Sequence, residues 1–255
     1  MEVHHHTHPS HGKKTWKNYF WEFLMLFLAV FCGFLAEYQL EHVVEHNREK
    51  QYIESMIVDL KTDSIDLGRI IRLNKQQESG FDSLLLNIYH KPYTDSSLRT
   101  LYYFKEKYTI IARKMRFSRG TISQLKNSGG FRLIKNRAVA DSIIKYDIIS
   151  ERADDNAEGV DYSTKKLLDI SAKTFDDECV LDYNGLSNYK NNHRDKLISN
   201  KKFNLLTTEE KIIKEYANLA KSKKDHIINY TRVLTGLQSR IPAIIQFLEK
   251  EYHLK

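Results

Sequence analysis

Five imidazoles stand within the first eleven residues: His4, His5, His6, His8 and His11. Neutral imidazole is a good ligand for zinc, nickel or copper, so this tail has the donors for weak metal binding. The run fixes no geometry, however, and no orienting partners for the rings accompany it. A solvated tail is the plainer reading, and Thr7 and Pro9 interrupt the run in a way that an added affinity tag would not. A second chemically suggestive residue is Glu22, a carboxylate beside a long apolar run. It begins a seam at 4-3 spacing: Glu22, Leu26, Ala29, Gly33, Ala36, Leu40 and Val43. Small residues on one face let membrane helices approach closely, and Ala29 and Gly33 form a small-xxx-small pair. The seam therefore predicts transmembrane self-association. Glu22 on that face would be a proton- or ion-responsive group in an oligomer. The simpler expectation is that it lies one turn inside the interface and reaches the headgroups.

A third group is Arg113, Lys114, Arg116 and Arg119, a basic patch with Phe117 among them. With Lys201-Lys202, Lys221, Lys223 and Lys224 it contributes to a formal charge of +7. Such a patch could grip nucleic acid or anionic lipid; a solvated charged surface near a membrane is the expectation adopted. Enzymatic signatures are absent from the sequence: no Walker A loop, H-E-x-x-H, G-x-S-x-G or paired C-x-x-C. Beyond the tail the histidines are scattered, and His42 with His46 lacks a third ligand. Asn229-Tyr230-Thr231 matches a glycosylation sequon but falls inside a predicted helix. No cofactor is expected. Cys32 and Cys179 are the two cysteines, which excludes a disulfide framework.

The elements that would position these groups are helical. Gly (10) and Pro (3) are scarce among 255 residues and 41% of the chain is hydrophobic, which favours long helices around a real core. Phe23–Ala36 is uninterrupted apolar sequence, and counted from Tyr19 the run reaches 18 residues. That is just enough to cross a hydrocarbon core of roughly 30 Å. Trp16, Tyr19 and Trp21 sit where an interfacial aromatic belt belongs. A cleaved signal peptide fits less well, because no small-x-small site follows and the run passes directly into helical sequence. Lys13, Lys14 and Lys17 precede the span; Glu37, Glu41 and Glu45 follow it, and Arg48 and Lys50 are the first basic residues on that side, a count of three against two. The positive-inside rule then predicts a cytoplasmic N-terminus and residues 40–255 outside the cytoplasm, which removes nucleic acid as a routine partner.

The expected organisation is a flexible tail over 1–15, a transmembrane helix over 16–40, a stalk helix over 41–75 and a helical bundle over 76–255. Apolar spacing at Ile53, Ile57, Leu60, Leu67 and Ile71, with Ser64 inside the stripe, predicts one rod from Trp16 to Asn74, on the order of 90 Å at 1.5 Å per residue. A break is expected at Glu78-Ser79-Gly80, then a short helix ending before Pro92. Further helices are predicted over 98–114, capped by Asp95-Ser96-Ser97, from Ser118 to Asn127, and from Arg137 to Thr174. Asn184-Gly185 signals a turn. A last helix is predicted from a capping box at Thr207-Thr208-Glu209-Glu210 to about Tyr252, kinked at Pro242. Its 4-3 seam (216, 220, 223, 227, 230, 234, 237, 241, 244, 248) contains one charged residue, Lys223. The fold class is all-α.

Two blocks carry a family resemblance. Met1-Glu-Val-His-His-His, Lys13-Lys14, Tyr19–Glu37, Arg48–Ile53 and Val58–Asp63 form the first; Gln124–Gly129, Arg132–Asn136 and Asp141–Tyr146 form the second. Together they resemble a family of uncharacterised single-pass membrane proteins common in Bacteroidota, a domain of unknown function. The resemblance implies a bacterial inner-membrane protein; it implies no particular activity and offers no catalytic residues to carry over. The expectation from sequence is therefore a non-enzymatic, membrane-anchored helical-bundle protein acting as an interaction, scaffold or sensor-like module. Its expected partners are the lipid bilayer, further copies of itself and an envelope protein. The alternative is an oligomeric ion-conducting or ion-coupled component using Glu22.

Overall fold

A computed structural model describes residues 15–180 and 202–254, and among them the chain is all-α. The helices are α1 (Trp16–Tyr89), α2 (Asp95–Tyr108), α3 (Gly120–Asn127), α4 (Arg137–Thr174), α5 (Glu210–Gln238) and α6 (Ile241–Glu251). Short 3-10 turns occupy Gly130–Leu133 and Asp177–Val180. The His-rich tail and the Asn184-Gly185 turn lie outside the described residues. The chain divides into two compact units, Met1–Gln51 and Tyr52–Lys255.

In the first unit, α1 contains an 18-residue window of mean hydropathy 2.0, none of it buried against the rest of the chain. This helix is long and apolar enough to span a membrane. A core helix of a soluble domain would be covered on all sides, and this one is bare.

In the second unit, the segment expected as stalk becomes core. Ile53, Met56, Ile57, Leu60, Leu67, Ile70 and Ile71 of α1 are all buried. The break expected at Glu78-Ser79-Gly80 does not occur, and α1 continues to Tyr89. Gly80 serves packing instead: a Cβ there would lie 2.3–2.5 Å from the Tyr108 ring. The missing side chain lets the end of α2 settle directly on α1.

α4 matches its predicted bounds, and its seam of Val139, Ile143, Tyr146, Ala153, Ala157, Val160 and Leu167 is buried throughout. Asn136 starts it by accepting hydrogen bonds from the Ala138 and Val139 amides. Of the ten seam positions at the C-terminal end, all but Ile244 are buried, Lys223 included. Ser64 meets Gln238 and Asp82 meets Lys224, so α5 runs antiparallel to α1, while Asp63 meets Tyr146 of α4. His226 lies against Gly159, so α4 packs on α5 as well.

Three predicted boundaries differ. The helix expected over 98–114 begins at Asp95 and ends at Tyr108. Thr94, not Asp95, caps it: its hydroxyl accepts from the Ser97 amide while Ser97 Oγ accepts from the Thr94 amide. The capping box at 207–210 does not form. Thr207 Oγ1 accepts from the Glu209 amide and the helix starts at Glu210 with no side-chain cap, because Leu205 and Leu206 are tied back to Phe175 and Thr174. The last helix is also two helices. α5 stops at Gln238, and Pro242 stands in the first turn of α6, where its missing N–H costs nothing.

Candidate functional site: a buried strap and the side chains that hold it

Residues 110–119 leave the helical pattern and run without regular structure among the helices. Thr109 is fully buried, Met115 is buried, and Ile111, Ala112, Arg113, Phe117, Ser118 and Arg119 are half-buried. Such a segment brings unpaired backbone groups into the bundle, and buried amides and carbonyls must find partners. They find them on side chains of α1 and α5. Gln77 Nε2 donates to the carbonyls of Tyr108 (2.6 Å) and Ile111 (2.8 Å). Lys223 Nζ donates to the carbonyls of Thr109 (2.5 Å) and Ile111 (3.3 Å). Farther along, the Met115 amide donates to Tyr230 Oη at 2.7 Å, and the Ser118 amide to Asp63 Oδ1 at 2.9 Å. Asp59 accepts from the Thr121 amide at 3.3 Å, where α3 begins.

The polar residues inserted into the apolar seams of α1 and α5 thus have one shared task. Gln77, Asp63, Lys223 and Tyr230 satisfy the strap's backbone, and each hydrogen bond contributes about 1 kcal/mol net. Removing such a partner costs more, because it strands a buried donor or acceptor.

The two ends of the strap differ in charge. At the lower end, Asp63 is fully buried and also accepts from the Tyr146 hydroxyl. Burial raises its pKa above the usual carboxylate value, with Asp59 adding to the rise, while the bonds from Tyr146 and Ser118 oppose it. Arg119 reaches Asp154 at 2.5 Å and Asp147 at 3.5 Å, and Lys126 pairs with Asp147 and, at 3.1 Å, with Glu151. At the upper end, Lys223 is fully buried with carbonyl acceptors and the Phe81 ring 5.8 Å away. Burial lowers its pKa to about 7, and the Arg113 guanidinium pushes in the same direction.

The basic patch read from sequence is mostly absorbed by this arrangement. Arg113 donates to Gln77 Oε1 at 2.9 Å, Lys114 pairs with Asp161, and Arg119 holds two aspartates. Arg116 is exposed. A cationic surface for an anionic polymer would leave these heads in solvent; here three of the four are turned onto the chain itself. The transmembrane seam is placed otherwise. Glu22, Leu26, Ala29, Gly33 and Ala36 are all exposed on α1, and nothing lies within 4 Å of a Cβ built on Gly33. His4, His5, His6, His8 and His11 lie outside the described residues. Among the described residues no group of three or more His, Cys, Asp or Glu is arranged to hold a metal ion.

A second anchored point surrounds Tyr102. Its hydroxyl accepts from the Asp176 amide (2.7 Å) and contacts the Asn204 carbonyl (2.6 Å), while its ring packs edge-on against Phe175 and Phe203. The Phe203 amide donates to Asp95 Oδ1 at 3.0 Å, and the Arg99 guanidinium sits over the Phe203 ring. Cys179 Sγ approaches the Lys202 carbonyl at 3.5 Å. The stretches before residue 181 and after residue 201 are therefore joined at one aromatic cluster.

Sequence reasoning did not anticipate Asp63, Gln77 or Tyr102. The available signal was Lys223, the one charge in an otherwise apolar seam. No protein-family model, curated protein or solved structure matches the chain.

Proposed function

We propose that the chain is a membrane-anchored helical module that acts by interaction, as a scaffold or sensor-like component, and performs no catalysis. The observation that carries this reading is the bare apolar window of α1, of mean hydropathy 2.0 with none of it buried. Exposed to water, Phe23, Met25, Leu26, Phe27, Val30 and Phe34, each more than half exposed, would be strongly unfavourable at about 25 cal/mol per Å². A bilayer removes that cost. The family resemblance supports a bacterial inner membrane, and the distribution of Lys and Arg around the span supports a cytoplasmic N-terminus with residues 40–255 periplasmic. Its partner there would be an envelope protein.

Self-association of the span is part of the proposal. Phe23, Phe27 and Phe31 stack along one side at 6.2 and 6.0 Å between ring centroids. Ala29, Gly33 and Ala36 fall on another side by their spacing, leaving a smooth face for a second helix. The test is sedimentation of the full chain in mild detergent, after recovery from membranes washed with alkaline carbonate. An oligomer that Gly33→Leu converts towards monomer is expected. A wild-type monomer overturns the self-association, and release by carbonate overturns the anchoring.

A further inference from the structure

The hydrogen-bond count at Lys223 is informative. Its Nζ has two acceptors, the Thr109 and Ile111 carbonyls. A neutral amine has two N–H groups and an ammonium has three. The site is fully buried, and neither acceptor is a carboxylate. We propose that Lys223 holds the strap as an uncharged amine, so that attachment of residues 109–119 to the bundle releases a proton and proton uptake favours detachment.

The groups around Lys223 agree with this. On the strap, Arg113 brings a second positive charge, and its Nη1 donates to Gln77. On α4, Asp161 is the one opposing charge, and Lys114 already engages it. On α1, the facing groups are Gln77 and Phe81; Asp82 is paired with Lys224. Glu78, next to Gln77 in α1, is half-buried. On α2, Glu106 pairs with Lys105 at 2.7 Å. On α5 itself, His226 stands three residues on and packs towards Gly159. A cation at Lys223 would meet Arg113 with no carboxylate of its own, and burying an uncompensated charge is costly. Gln77 holds the Ile111 carbonyl independently of Lys223, so the strap keeps one neutral clamp when the amine is lost.

The direction of the effect follows from linkage. A lysine freed with the strap regains its ordinary value of 10.5, whereas the attached one titrates at about 7. Above the ordinary value the amine is neutral in both states and attachment is strongest. As pH falls between these values, the detached state binds a proton that the attached state does not. Opening should then rise about tenfold per pH unit. Below pH 7 both states are protonated and the effect levels off. Asp63 acts in the opposite sense and in the acid range, because its pKa is raised and its contribution falls as pH rises.

The experiment is hydrogen exchange by mass spectrometry on the full chain in detergent micelles. Rates for peptides covering 110–119 are divided by the intrinsic rate at each pH. Protection should fall about tenfold per unit from pH 10 to 7, then flatten. Lys223→Met should remove the slope, and His226→Gln should keep it. A flat wild-type profile, or an unchanged slope in Lys223→Met, overturns the proposal. Should Lys223→Met fail to fold, a carbon-13 titration of the lysine Cε signals in the wild type decides. One signal with a midpoint near 7 is expected, and midpoints all near or above 10 overturn it.

Discussion

Replacing Gly80 by alanine should destabilise the bundle, although a glycine-to-alanine change inside a helix ordinarily does the reverse. Alanine is favoured over glycine in a helix interior by about 1 kcal/mol. Gly236 in α5 has open space around its Cβ position and is exposed, so Gly236→Ala should show the ordinary gain of up to about 1 kcal/mol. At Gly80 the new methyl would lie 2.3, 2.4 and 2.5 Å from Tyr108 Cδ2, Cγ and Cε2. Those distances are far inside van der Waals contact, and Cγ is the root of the ring, so a rotation about χ2 gives no relief. Tyr108 cannot simply swing away either. Its carbonyl is held by Gln77 at 2.6 Å and its ring stacks on Phe104 at 6.1 Å. Overpacking of this kind costs about 1–3 kcal/mol. Because both substitutions carry the same propensity gain, their difference isolates the clash. For a chain of this size that difference is about 2–4 °C in Tm per kcal/mol. Thermal unfolding of the full chain in detergent, followed by circular dichroism at 222 nm (about the helix minimum), should place Gly80→Ala clearly below Gly236→Ala. Equal Tm shifts for the two variants would refute the close packing of α2 on α1.

Two further outcomes follow from the anchored points. Asp63 has a raised pKa, so it favours the folded state most below its unfolded value of 3.8 and loses that advantage as pH rises through the folded value. Asp63→Asn removes this titration, so chemical denaturation from pH 4 to 7 should show the wild type losing stability relative to the variant as pH rises; a constant difference would contradict the buried carboxylate. Tyr102→Phe removes the hydroxyl that joins Asp176 to Asn204, which should cost about 1–3 kcal/mol and speed limited proteolysis at 176–180 and 202–206; an unchanged cleavage rate would show that the ring alone holds these two stretches.

Much of this was legible from periodicity, and the rest was not for identifiable reasons. The α4 seam from Val139 to Leu167 is nearly uninterrupted small and apolar residues, so spacing alone located it. The seam from Tyr216 to Leu248 was equally clear. Its one charge, Lys223, signalled something polar opposite, but its partner lies over a hundred residues earlier. The strap was hidden because Leu98–Lys114 has helical spacing throughout. Thr109, Ile110 and Ile111 are β-branched and weaken a helix at the point where α2 ends, yet that preference is small enough for tertiary contacts to decide. Gly80 was read as a breaker because sequence shows a missing side chain and not what fills the space. In α1 the stripe suggested Ser64 as the polar core position, whereas the helix turns Asp63 inward, a one-residue difference explained by its two partners, the Ser118 amide and the Tyr146 hydroxyl.

The most direct test of the functional reading is the topology of the span. A cysteine is placed at Glu45 in a Cys32→Ala, Cys179→Ala background, and intact cells with a permeabilised outer membrane are treated with a membrane-impermeant thiol reagent. Labelling without lysis is the expected result and would set the helical module in the periplasm. Protection until the inner membrane is broken would contradict that placement and put residues 40–255 in the cytoplasm.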